Sequence, residues 1–265
     1  MNGPVPILMY HSIAEQPNDA TRELSVTPGA FAEQMALLYD QGFTPVSTAR
    51  LAASWREGGP LPARPVLVTF DDGYEGVHRY GLPVLARHGF AATLFVSTGW
   101  IRGAYDTGGS LDTMLDWDQV RKLAAEQVEI GGHSHTHPQM DQLAEDALRF
   151  EVRRCREIVA DELGTRPASF AYPYGYSSRR VRQAVRAAGF AQSLAVGNAL
   201  ARRRQGPYAL QRVTVRRSTG TEEFERLVQG RAIALNFARD RALTKGYAMV
   251  RRARQVRRKA ISSRV

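Results

Sequence analysis

The 265-residue chain has 43% hydrophobic and 23% charged residues, ordinary values for a soluble globular protein with room for one α/β barrel or two small domains. Its single cysteine, Cys155, excludes an intramolecular disulfide and a cysteine-built metal site, and no stretch approaches the ~20 apolar residues of a membrane span. The formal charge of +10 is uneven: residues 201–265 hold 18 Lys and Arg against 4 Asp and Glu, a net of +14, which leaves residues 1–200 at −4, so the overall charge makes no whole-protein argument for nucleic-acid binding.

The opening MNGPVPILMYHSIAE has no basic region and too short an apolar run for a secretion signal, so a cytoplasmic protein is expected. From there, short apolar runs alternate with helical patterns. Strands are predicted at PILMY (6–10), FTPV (43–46), VLVTF (66–70), ATLFVS (92–97), VEIG (128–131), ASFAY (168–172), AQSLAV (191–196) and LQRVTV (210–215). Between them, GAFAEQMALLYDQG (29–42) repeats apolar residues at Phe31, Met35 and Leu38 and stops at Gly42. EGVHRYGLPVLARHG (75–89), WDQVRKLAAEQ (117–127), DQLAEDALRFEVRRCREIVADELG (141–164) and SSRRVRQAVRAAG (177–189) also read as helices. Strands separated by helices of this length predict βαβ units and a parallel sheet. About seven such strands predict an α/β fold, a distorted (β/α) barrel over residues 1–235, followed by a basic, partly helical C-terminal tail, 236–265.

Functional residues of such barrels sit at the C-terminal ends of strands. The ends here carry Tyr10-His11, Asp71-Asp72, His133 to His137 and Tyr172-Pro173-Tyr174. Asp71 and Asp72 end an apolar strand, where two adjacent carboxylates are costly to bury unless a cation compensates. In EIGGHSHTHPQM, His133 and His137 are four apart and share a face if the segment turns as a helix; His135 points elsewhere, and the glycines before them allow close backbone approach to a ligand. Two imidazoles and one carboxylate make a borderline ligand set for Zn²⁺, with Co²⁺, Ni²⁺ or Fe²⁺ also suited. One aspartate can then ligate the cation while the other takes a proton from a water acidified by it. Arg212, on the last strand, orients Asp71 if that strand ends at the same rim.

TFDDG (69–73), His133-Ser134-His135-Thr136-His137 and YPYG (172–175), in this order and spacing, resemble the polysaccharide deacetylases of the NodB-homology carbohydrate esterase type. The resemblance covers most of residues 5–230 and implies a distorted barrel that removes N-acetyl groups from an amino-sugar glycan or its precursor. It implies Asp71 as catalytic base, Asp72, His133 and His137 as ligands of one divalent ion, and Ser134 as a brace of the loop. Tyr172 and Tyr174 would line the groove, with the Tyr174 N–H holding the developing oxyanion. Two departures are visible. The third motif begins with Phe170-Ala171 where the family usually has an Arg, and no histidine follows His137 to serve as the late acid. VPILMYHSI resembles the opening strand of the circularly permuted poly-N-acetylglucosamine deacetylases, and by that likeness His11 takes the acid role.

Trp117 is read either as a sugar-stacking platform or as the anchor of a helix start. His78 and His88 read as surface or helix-end residues, and Cys155 as an inert thiol. In the tail, Leu243, Tyr247 and Val250 mark an apolar stripe in a basic segment, which suggests an anionic membrane surface, such as the inner face of the membrane, as a partner; nucleic acid is disfavoured because no reading motif accompanies the charge. Two other readings stay open from sequence: an amidohydrolase of a small non-sugar amide on the same scaffold, and a non-catalytic module that works through the tail.

Overall fold

All eight predicted strands form, and every pairing among them is parallel. The computed structural model describes residues 3–240 together with 242, 243, 246, 247 and 251. The strands are β1 (Ile7–Tyr10), β2 (Thr44–Pro45), β3 (Pro65–Phe70), β4 (Ala92–Val96), β5 (Val128–Gly132), β6 (Ser169–Ala171), β7 (Gln192–Val196) and β8 (Leu210–Thr214). Seven of them close a barrel, because β1 pairs with β3 on one side and with β8 on the other. The eighth, β2, pairs only with the first two residues of β3 and stays outside the ring. β1 and β4 are buried along their whole length, which is why such strands read as continuous apolar runs rather than alternating ones.

The helices are α1 (Pro28–Asp40), α2 (Thr48–Glu57), α3 (Leu82–His88), α4 (Trp117–Ala125), α5 (Glu145–Leu163), α6 (Arg179–Ala187), α7 (Thr221–Val228) and α8 (Ile233–Asn236). Thr27 caps α1 by accepting the Ala30 N–H at 3.1 Å, and Phe31, Met35 and Leu38 form its buried face. The 75–89 segment departs from one continuous helix. Pro83 has no N–H to close an α turn, and just before it the chain widens, with the Leu82 N–H donating to Val77 five residues back. The helix predicted from residue 141 starts at Glu145, since Leu143 and Ala144 are extended after a 3₁₀ turn at Met140–Gln142. No described helix is long and apolar enough to cross a membrane.

The N-terminal end of the barrel is closed by the start of α2. Glu129 of β5 accepts from the Thr48 hydroxyl at 2.6 Å, the Ala49 N–H at 2.8 Å and the Ser169 hydroxyl at 2.6 Å. A carboxylate at a helix N-terminus, satisfied by three donors, is a stable plug. It leaves the opposite end of the barrel for chemistry.

Gly131 and Gly132 on β5 serve packing rather than ligand approach. A Cβ at Gly131 would lie 2.5 Å from the Phe95 ring, and one at Gly132 would lie 3.0 Å from the Cys155 sulfur. Cys155 itself is fully buried on α5, and burial pushes its thiol up to about 12. Native protein at pH 8 should therefore resist iodoacetamide and react stoichiometrically only after unfolding in guanidinium; rapid labelling of the native state would contradict this packing.

Candidate metal centre

Parallel strands put all their C-terminal ends on one side, and there β3 ends on Asp71 and Asp72. The Asp71 N–H continues the ladder by donating to Tyr10 of β1 at 3.0 Å. Asp72 then turns with φ of 73°, which points the two carboxylates in different directions. Each has a different partner. Asp71 is held by Arg212 of β8 through two parallel bonds, 2.6 Å from Nη1 to Oδ1 and 2.7 Å from Nη2 to Oδ2. Arg212 is fully buried, with its guanidinium near the Phe95 ring. Burial alone would raise the Asp71 pKa, but the Arg212 charge, with His133 and the bidentate bonds, outweighs it and holds the carboxyl below its ordinary value.

Asp72 faces the histidines. Its Oδ1 lies 3.3 Å from His133 Nε2 and 3.3 Å from His137 Nε2, is buried, and has no hydrogen-bond donor. The His133 Nδ1–H donates to the Ala171 carbonyl at 2.8 Å, which leaves the Nε2 lone pair aimed at Asp72. Burial works against charge on both groups, yet Asp72 is driven well below the usual carboxylate range by the two imidazoles, and His133 is raised by Asp71 and Asp72. The centre favours a positive charge between these three side chains. Asp72, His133 and His137 form the one group of three or more potential ligands among the described residues, their ligating atoms all within 4.8 Å of one another. An unsatisfied buried carboxylate oxygen beside two oriented imidazole nitrogens fits a divalent cation.

The histidine segment is a loop, not the helical turn that the spacing of four suggests. Positive φ at Ser134 (67°) and His137 (57°) folds the chain back, and the His137 N–H donates to the Ser134 hydroxyl at 3.0 Å. Glu151 of α5 holds the tip, accepting from the His135 and Thr136 N–H groups at 2.8 Å each and from the Thr136 hydroxyl at 2.6 Å. His135 turns away to Thr98, 2.9 Å from its hydroxyl. Sequence reasoning passed over Glu151, an acid on a helix face that looks solvated until the loop is placed above it.

A groove of about 370 Å³ opens onto this centre. His11, Asp71, Asp72, His133, His137, Tyr172 and Tyr174 all line it. The His11 Nδ1 is buried without a partner, and burial pushes the ring's pKa down while Asp72 and Asp71 push it back. Tyr174, at φ of 58°, is half exposed with its ring 4.8 Å from that of His137. The Tyr172 hydroxyl is tied into the wall, 2.5 Å from the Ser193 hydroxyl and donating to the Tyr208 carbonyl at 3.0 Å.

Trp117 lies elsewhere. It starts α4, is buried in the main core and meets Tyr105 edge-on, so it is an anchor of the helix and not a groove residue. The tryptophan in the groove is Trp100, whose ring sits 4.5 Å from His137. Tyr74, buried against Trp100, faces Asp72, which with burial raises its pKa. Neither stands in a spacing that sequence alone distinguishes from core. Leu243 and Tyr247, read from sequence as a membrane-facing stripe, line the groove as well, whereas Val250 lies outside the described residues.

Replacing Arg212 by Met should strand a buried Asp71 charge and cost about 3–5 kcal/mol, read as a lower urea midpoint with unchanged slope. Because Asp71 and Asp72 have depressed values in the fold, the stability they contribute is complete above about pH 4 and is lost as pH falls through those lower values. Thermal melts of chelator-treated protein should drop below about pH 4; melting temperatures flat down to pH 2 would rule out the pairing.

Comparison with known proteins gives a consistent result. Residues 58–193, 136 of the 265, match the family model described as polysaccharide deacetylase. YxkH of Bacillus subtilis strain 168 is 26% identical over 211 residues, 80% of this chain and 71% of its own length. The Escherichia coli K12 protein named poly-β-1,6-N-acetyl-D-glucosamine N-deacetylase is 28% identical over 209 residues, 66% of this chain; the match spans only 31% of that protein. Among solved structures, the Streptococcus pyogenes deacetylase PplD, in complex with acetate, superposes with a TM-score of 0.77 at 21% identity, over 86% of this chain and 99% of that one. IcaB from Ammonifex degensii gives 0.72 at 22% identity, over 85% and 96%. At such identities the structural likeness establishes a shared fold.

Proposed function

Since the chain belongs to the polysaccharide deacetylase family, we propose that it is a metal-dependent hydrolase that removes N-acetyl groups from an amino-sugar glycan. The observation that carries the metal is the buried Asp72 Oδ1, which lacks a hydrogen donor and lies 3.3 Å from two imidazole nitrogens. Asp72, His133 and His137 hold the cation; Zn²⁺ suits the set first, then Co²⁺, Ni²⁺ or Fe²⁺. When bound, the cation polarises the acetyl carbonyl and acidifies a water next to it.

The protein's own groups do the rest. Asp71 accepts the proton of the attacking water. Its pairing with Arg212 keeps it ionised at neutral pH and fixes its orientation, and the weak basicity that follows is offset by the acidity of that water. The Tyr174 N–H, in the turn after β6, stabilises the oxyanion that develops on the carbonyl oxygen. Tyr174, Trp100 and the wall containing Tyr172 bound the space for the sugar. His11 protonates the departing nitrogen. Burial keeps it neutral in the resting site, so the proton it delivers must reach it during turnover, as the attacking water gives one up. The substrate class follows the name of the E. coli relative, an N-deacetylase of a β-1,6-linked N-acetylglucosamine polymer.

Acetate release from N-acetylated glucosamine oligomers tests this directly: chelator should abolish it and added Zn²⁺ or Co²⁺ should restore it. Chelator-resistant release would remove the cation from the chemistry. Asp71→Asn should retain metal and lose about 10²- to 10⁴-fold in kcat, the range of a general base. His11→Ala should lose a similar factor on the amide but far less on an aryl acetate, whose leaving group needs no proton; equal losses on both would take the acid role from His11.

A further inference from the structure

Seven large apolar side chains among the described residues are markedly exposed, and four of them, Leu111, Tyr174, Leu243 and Tyr247, line the groove over the metal centre. Apolar surface concentrated at one opening marks a contact for a ligand. Two of the four, Leu243 and Tyr247, come from the basic C-terminal segment, which has no place in the barrel.

The segment is fastened on both sides of those two residues. Before them, Asp240 pairs with Arg216 at 3.0 Å, just past the end of β8. After them, Arg251 is buried: its Nε donates to Asp141 Oδ2 at 2.9 Å, its guanidinium lies 3.3 Å above the Tyr176 ring, and its carbonyl accepts from the Gln142 side chain at 3.5 Å. Removing either partner of such a buried pair strands the other's charge, and the cation–π contact adds to what would be lost. The partners of Arg251 are telling. Asp141 follows His137 by four residues and Tyr176 follows Tyr174 by two, so the clasp closes on the same two loops that carry a metal ligand and the rim tyrosine.

We propose that Leu243 and Tyr247 are substrate contacts, held over the groove by the Arg251–Asp141–Tyr176 clasp, and that they bind the sugar next to the one being deacetylated. An aromatic ring and an aliphatic side chain cover the apolar C–H face of a pyranose, and their place at the opening rather than at the centre assigns them to a flanking residue. The proposal rests on the deacetylase reading and deepens it. Arg251 and Asp141 are positioning residues, while Tyr247 and Leu243 decide preference for chain length.

The test is a double-mutant cycle in the full-length, metal-loaded protein with N-acetylglucosamine oligomers of increasing length. Arg251→Ala, Asp141→Asn and Tyr247→Ala should each raise KM for oligomers about fivefold or more, change kcat less than twofold, leave metal content intact and leave KM for the monosaccharide unchanged. Arg251→Ala and Asp141→Asn combined should be no worse than either alone, because both undo one clasp. Unchanged KM for oligomers, equal effects on monomer and oligomer, or loss of metal in Arg251→Ala would overturn the proposal. Calorimetric titration of the oligomers in an Asp71→Asn background, which suppresses turnover, reads the same contacts: a Kd at least fivefold weaker on adding Tyr247→Ala supports them, and an equal Kd overturns them. A wild-type protein that releases no acetate would sink the deacetylase reading, and the titration would still decide the fate of these contacts.

Discussion

Everything at the functional end of this barrel depends on how two neighbouring carboxylates are kept apart. Asp71 and Asp72 would repel each other if they shared one environment, and burial makes that repulsion worse. The φ of 73° at Asp72 sends the second carboxylate toward the histidines, while Arg212 takes the first in a bidentate grip from across the barrel. One acid is thereby neutralised by a permanent protein charge and the other is left facing two imidazole nitrogens. That division gives two chemically different carboxylates from adjacent residues, one paired with a guanidinium and one left with an unsatisfied oxygen between two imidazoles.

The opposite end of the barrel uses the same kind of group for a different purpose. Glu129 is also an acid near the barrel interior, but three donors from α2 and β6 satisfy it. Its needs are met in full, so it closes the barrel and does no more. Asp72 Oδ1, with no donor at all, is the mirror case. The contrast in hydrogen bonding, not in residue type, separates the structural end from the reactive one.

Much of this was legible in the sequence, for physical reasons. The strands were readable because parallel strands buried on both faces become apolar runs, and the convergence of Asp71, Asp72, His133 and His137 was readable because strand ends share one rim. The helices α2 and α7 were not, since α2 follows directly on the two-residue β2 and α7 lies beyond the last strand, where no alternation frames it. The spacing of His133 and His137 pointed to a shared face, yet the face comes from left-handed backbone at Ser134 and His137 and from Glu151, which no local pattern reveals. No local pattern marks Trp117 for the core or Trp100 for the groove, and only the packing separates them. The apolar positions of the tail were visible, but the contact that fastens the segment beyond them, Arg251 on Asp141, spans 110 residues of sequence.

Asp72, Ser134, His137 and Tyr174 all hold left-handed backbone that residues with a Cβ adopt at a cost of about 1–2 kcal/mol each. The surrounding barrel carries that cost and so aims Asp72, His137 and Tyr174 at the groove. Heat resistance and turnover therefore pull these positions in opposite directions. A lineage selected for endurance alone would drift to glycine there, relaxing the chain while erasing the side chains, and would end as a sturdier barrel with an empty mouth.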